Sequence, residues 1–172
     1  IKFYLTVLCC VLWLMSASAA EAQANLNPLT GLAEENPEMM NLPPVLIPMA
    51  KFPDKYRPTA GLNDAAWVYE FYDIGGISRP VALFYGHLPQ AANESHDFIG
   101  PIASAMYGVE DLRNHYGALM ITAGNRAHVA EDGLFNVQHW YGESGGDLFP
   151  QLPIQKLEEF INKWAKKIQP PD

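Results

Sequence analysis

Pro80-Val81-Ala82-Leu83-Phe84-Tyr85 is the stretch whose reading decides the fold. It is a short apolar run with no helical spacing and no alternation, too brief for a helix. Such a run describes a central strand, and a proline is tolerated at its first position. Downstream, Ala118-Leu119-Met120-Ile121-Thr122 has the same character. Upstream, Val45-Leu46-Ile47-Pro48-Met49 repeats it, with Pro48 placed at an edge or strand end because it cannot donate to a ladder. Between these runs the spacing predicts helices. Asn63 or Asp64 caps one through residues 65–71, with Trp67, Val68 and Phe71 on one side and Gly75-Gly76 as its stop. Pro101 opens a second, with Ile102, Ala105, Met106, Val109, Leu112 and Tyr116 as its stripe and Gly117 as its end. Strand, helix, strand, helix, strand is the grammar of an α/β layered domain with a central mixed or parallel sheet flanked by helices.

Beyond Thr122 the pattern predicts a short helix over residues 126–131, an alternating strand over 135–141 and a Gly-rich turn. Leu152 to Ile168 then reads as an amphipathic helix opened by Pro153, with Leu157, Phe160, Ile161, Trp164 and Ile168 on its apolar side. One domain over residues 45–168 is the expectation, with 169–172 a tail or the start of a linker.

The N-terminal region reads differently. The chain opens Ile-Lys-Phe rather than with Met, so its true start is expected to be missing, and Pro170-Pro171-Asp172 suggests that a linker follows. Phe3 to Met15 is apolar apart from Thr6 and passes into the small residues of 16–24, the pattern of a secretory signal peptide over 1–24. A helix over that run spans about 20 Å against a hydrocarbon core of about 30 Å, so membrane association is expected only through this segment if it stays uncleaved. The expected location is extracytoplasmic, secreted or in the cell envelope. Cys9 and Cys10 both lie inside the signal, outside any lipid-attachment box, so the remainder excludes disulfides, thiolate metal sites and cysteine nucleophiles. Residues 25–44, with Asn27-Pro28, Asn36-Pro37 and Pro43-Pro44, read as an exposed leader.

The formal net charge of −8 repels phosphate backbones, which makes nucleic acid a poor partner. Catalytic patterns fail on context. Gly142-Glu143-Ser144-Gly145-Gly146 fits the outline of a nucleophile elbow, but no helix follows the serine directly and no histidine lies beyond it. His87, His96, His115, His128 and His139 show no spacing that puts two ligands on one face, so no metal and no cofactor is expected. Glu70 and Asp73 could act as an acid and base pair, though a salt bridge from one of them to Arg79 is the favoured reading.

With these residues in place the chain resembles the YerB-like family of bacterial envelope lipoproteins, a domain of unknown function. The motifs carrying the resemblance occur in order: Asn27-Pro28-Leu29-Thr30-Gly31-Leu32, Arg57-Pro58 with Gly61-Leu62, Val68-Tyr69-Glu70, Gly75-Gly76-Ile77-Ser78-Arg79, Ile99-Gly100-Pro101 with Ser104-Ala105, and Tyr116. The resemblance implies an α/β N-terminal domain in an extracytoplasmic, membrane-associated protein, followed in relatives by a smaller domain absent here. It implies no reaction. Ala66, Ala103 and Met106 stand where relatives carry charged residues, so this copy is expected to have lost part of any polar site. The expectation is a non-catalytic binding or scaffolding module for a cell-wall polymer or another envelope protein, with Arg57, Tyr69, Glu70, Arg79 and Ser104 lining a ligand cleft. The competing expectations are a cell-wall hydrolase using Glu70 or Asp73, and a structural module of a two-domain protein.

Overall fold

A computed structural model describes residues 25–51, 57, 59–73, 76–90, 97–124, 130–137 and 150–168. The signal segment, the Gly142–Gly146 motif, His96, His128, His139, most of the helix expected over 126–131 and the tail from 169 lie outside the described residues, as does the side chain of Asp73.

The three apolar runs form the middle of a five-stranded sheet. Its strands are β1 (Val45–Pro48), β2 (Trp67–Asp73), β3 (Ile77–Phe84), β5 (Leu119–Ala123) and β6 (Leu134–Val137), in the order β2-β3-β1-β5-β6. β1 pairs antiparallel with β3 and parallel with β5, and β5 pairs parallel with β6, so the sheet is mixed. A two-stranded ribbon of β4 (Phe98–Ile99) and β7 (Leu152–Pro153) lies apart. Among the described residues the α-helices are α1 (Val109–Tyr116) and α2 (Ile154–Ile168). This is the α/β layered architecture expected.

Alternation along the central strands divides the interior in two. Val45, Ile47, Ala82, Phe84, Leu119 and Ile121 meet Leu157, Phe160 and Ile161 of α2 on one face. Leu46, Val81, Leu83 and Met120 meet Val109 on the other, with Leu112 and Tyr116 of α1 packed around them. Continuous apolar runs were needed because both faces are covered.

Two expected helices are corrected. Residues 67–73 are strand β2, paired residue for residue with β3 from Trp67↔Leu83 to Asp73↔Ile77. The aromatic and β-branched residues that suggested a helical stripe are strand formers, and Gly76 precedes β3 instead of ending a helix. The helix expected from Pro101 begins only at Val109. Residues 100–103 run extended instead: Ile102 bridges to Met49, and the Ala103 N–H donates to Pro48 O at 2.8 Å. Ile102 and Val109, which a helix would place on one stripe, pack on opposite faces of the sheet. Gly108 makes the turn between them at φ +84, a conformation other residues adopt with strain.

Residues 25–44 are also not an exposed leader. Asn27 is fully buried, residues 37–41 form a 3₁₀ helix, the Trp67 indole N–H donates to Leu29 O at 2.8 Å, and the Tyr85 hydroxyl donates to Met40 O at 2.9 Å. The stretch is a strap tied across the outer sheet. Among the described residues no helix is long and apolar enough to cross a membrane.

Candidate functional site

The strap begins as a tight loop. Asn27 Oδ1 accepts the Leu29 N–H at 2.9 Å, Gly31 N–H donates to Asn27 O at 2.8 Å, and Thr30 Oγ1 accepts the Leu32 N–H at 3.2 Å. This local geometry is the self-bonding turn that asparagine and threonine favour. It leaves the Asn27 amide nitrogen pointing inward, where it donates to Tyr85 O at 2.8 Å and to Glu34 Oε1. Glu34 is held almost wholly out of solvent, its side chain 7% exposed, and His87 Nδ1 stands 3.1 Å from its Oε2. Gly86 lies under this cluster: a Cβ there would fall 2.7 Å from Glu34 Oε1 and 2.8 Å from Asn27 Nδ2.

Glu34 and His87 open onto a cleft of about 1390 Å³. Its walls come from distant parts of the chain: residues 33–36 of the strap, Arg57, the turn at 59–64, the loop after β3, the β4 end and the start of α2. Gly61, Gly100 and Pro101 lie along it. Of the motifs quoted above, Arg57 with Gly61 and the Gly100-Pro101 pair meet here, while the Asn27–Leu32 loop stands behind Glu34. Carboxylates dominate the charged lining, from Glu34, Glu35, Asp64, Asp97 and Glu158 against Arg57, among neutral asparagine and glutamine side chains. The volume exceeds the roughly 300–1,000 Å³ of small-molecule pockets, which suits a segment of an extended ligand. Among the described residues no group of three or more histidine, cysteine, aspartate or glutamate side chains is arranged to hold a metal.

Of the five residues expected to share a cleft, only Arg57 lines this one, its Nε donating to Lys51 O at 2.9 Å. Of the other four, Arg79 and Ser104 meet on the face that Tyr69 shares, and Glu70 stands on the opposite face. In an antiparallel pair directly opposed residues share a face, so Glu70 lies with Pro80, and Arg79 with Phe71 on the opposite face. Glu70 is bonded by the Lys51 ammonium and the Ser78 hydroxyl, which together hold its carboxyl below the usual carboxylate range. An exposed carboxylate kept ionised in this way suits an ion pair better than a general acid. Of the expected bridge from Glu70 or Asp73 to Arg79, the Glu70 form is replaced by this contact, and the Asp73 side chain lies outside the described residues. On the other face, Arg79 Nη1 donates to Ser104 O and to Ser104 Oγ, both at 3.2 Å. The hydroxyls of Tyr69 and Tyr116 share a hydrogen bond beside them. Burial, then the Tyr116 contact, pushes the Tyr69 phenol up to about 12.

Sequence reasoning placed none of Glu34, Asp64, His87, Asp97 and Glu158 in a shared cleft. The one signal that pointed toward them was the Asn27–Leu32 motif, whose asparagine positions Glu34. The others are single polar residues in loops and on a helix face, and only the folded chain brings them together.

The family profile described as "Protein of unknown function (DUF3048) N-terminal domain" matches residues 29–146. Among solved structures, the crystal structure of YerB from Bacillus subtilis is similar, with a TM-score of 0.61 and 22% sequence identity. The match covers 83% of this chain and 49% of that one, so the chain spans about half the length of YerB. At that identity the likeness establishes the fold. No curated protein matches the chain.

Proposed function

The chain belongs to the family described as "Protein of unknown function (DUF3048) N-terminal domain", and from that premise we propose that it is a non-catalytic binding module of the cell envelope whose cleft holds a stretch of cell-wall polymer. The observation that carries this reading is the 1390 Å³ cleft with its carboxylate-rich wall. A negative wall disfavours anionic polymers and favours neutral sugars and amine-bearing peptides, the chemistry of a peptide-crosslinked glycan. The secretory pattern of residues 1–24 supports an envelope location. The hydrolase reading loses support because Glu70 faces away from Arg79 and is tied to Lys51 and Ser78.

The test is co-sedimentation of the purified protein with peptidoglycan sacculi stripped of anionic polymer. Asp64→Lys combined with Glu158→Lys is expected to weaken binding about tenfold or more. Glu70→Ala and Arg79→Ala, away from the cleft, are expected to leave it unchanged. Binding that survives the double reversal in a folded protein, no binding to sacculi at all, or saturable capture of an envelope protein through the same residues would each overturn the polymer reading.

A further inference from the structure

At the end of the sheet remote from β6, strand β2 has a partner on one side only among the described residues. It is long for an edge, and Trp67-Val68-Tyr69-Glu70-Phe71-Tyr72-Asp73 contains no proline and no lysine. Its register with β3 runs without a bulge. Those are the devices by which edges are normally blunted. Trp67, Val68 and Tyr72 are exposed by 49%, 46% and 81%.

The direction of the unpaired backbone groups follows from Pro80. Its carbonyl accepts the Met49 N–H, on the β1 side, so the backbone groups of Arg79 and Val81 face β2. These residues oppose Phe71 and Tyr69. The N–H and C=O groups of Val68, Glu70 and Tyr72 therefore point outward. Around Glu70 the nearest flanks match as aromatics, Tyr69 on one side and Phe71 on the other, with Val68 and Tyr72 next.

We propose that β2 is a two-fold interface at which a second copy of this chain adds its own β2 antiparallel, with Glu70 of each copy opposite the other. In this register all three residues with outward backbone groups pair with each other, and each pair exchanges both of its hydrogen bonds. Val68 meets Tyr72 of the second copy on one face, and Tyr69 meets Phe71 on the other, combinations that stabilise cross-strand pairs. Opposed glutamates repel, but each Glu70 carries its own Lys51 ammonium, so the axis brings together equal numbers of opposite charges. An unrelated strand would lack this self-matching order. The inference is independent of the cleft, because no residue of β2 lines it.

Sedimentation equilibrium of the purified protein, from micromolar to millimolar concentration, is expected to show reversible dimers. Hydrogen exchange at the Val68, Glu70 and Tyr72 amides is expected to slow as the dimer forms. Tyr72→Pro removes an outward N–H and no bond to β3, and Val68→Lys places a charge on the edge without touching the backbone. Each is expected to weaken the dimer more than tenfold. A protein that stays monomeric throughout, a dimer in which those three amides remain unprotected, or a dimer unaffected by both variants would overturn the proposal.

Discussion

Asn27→Ala removes the tie between the strap and the end of β3. The side chain is fully buried and makes a bond to Tyr85 O at 2.8 Å, one to the sequestered Glu34 carboxylate, and one from Leu29 N at 2.9 Å. A hydrogen bond to a charged group contributes about 1.5–3 kcal/mol and a neutral one about 0.5–1.5 kcal/mol. The bonds share one side chain and do not add fully, so the expected loss is about 3 kcal/mol. For a chain of this size that lowers Tm by about 6–12 °C. Thermal and urea unfolding followed by circular dichroism measure it. Asn27→Asp sharpens the test, since it keeps Oδ1 but sets a second carboxylate against Glu34. It is expected to destabilise at least as much, because it loses the amide donor to Tyr85 O and Glu34. A loss below about 1 kcal/mol for Asn27→Ala, together with an Asn27→Asp variant as stable as the parent, would refute the claim that this cluster anchors the strap.

Two further outcomes are expected. Tyr69, pushed up to about 12 from 10.0, keeps its proton in the folded chain while the unfolded chain loses it. Its contribution to stability is thus complete below pH 10 and is lost as the pH rises through about 12. Tyr116→Phe is expected to bring the Tyr69 titration down toward 10.0, read by ultraviolet absorbance, and a parent Tyr69 already titrating near 10 would contradict the burial argument. Leu157→Ala, at a fully buried position where α2 meets the sheet, is expected to cost about 2–5 kcal/mol in urea unfolding. A loss well under 1 kcal/mol would mean that α2 does not close that face.

The centre of the sheet was legible because β1, β3 and β5 are covered on both sides, which writes continuous apolar runs into the sequence. The α2 stripe was equally legible, since Leu157, Phe160 and Ile161 recur at helical spacing over an amphipathic helix. β2 was misread because an edge strand carries exposed aromatics on both faces, and Trp67, Val68 and Phe71 happen to satisfy a helical spacing as well. The stretch from Pro101 to Tyr116 misled for another reason: its apolar residues serve two separate faces, and spacing alone cannot say which face each one meets. The candidate site was least legible. Arg57 was named, but Glu34 and His87 become neighbours through a 53-residue separation that no local pattern encodes.

β1 is the first strand made and lies in the middle of the sheet, with Phe84 beside Val45 on one flank and Leu119 on the other. A chain emerging from its N-terminus can close the first flank once β3 is out, yet the second stays open until β5 follows. At about 5–20 residues per second, the stretch between them takes roughly 2–7 s to appear. For that interval the β5-facing side of the Val45–Leu46 backbone is an open apolar template, a foothold for a bound chaperone.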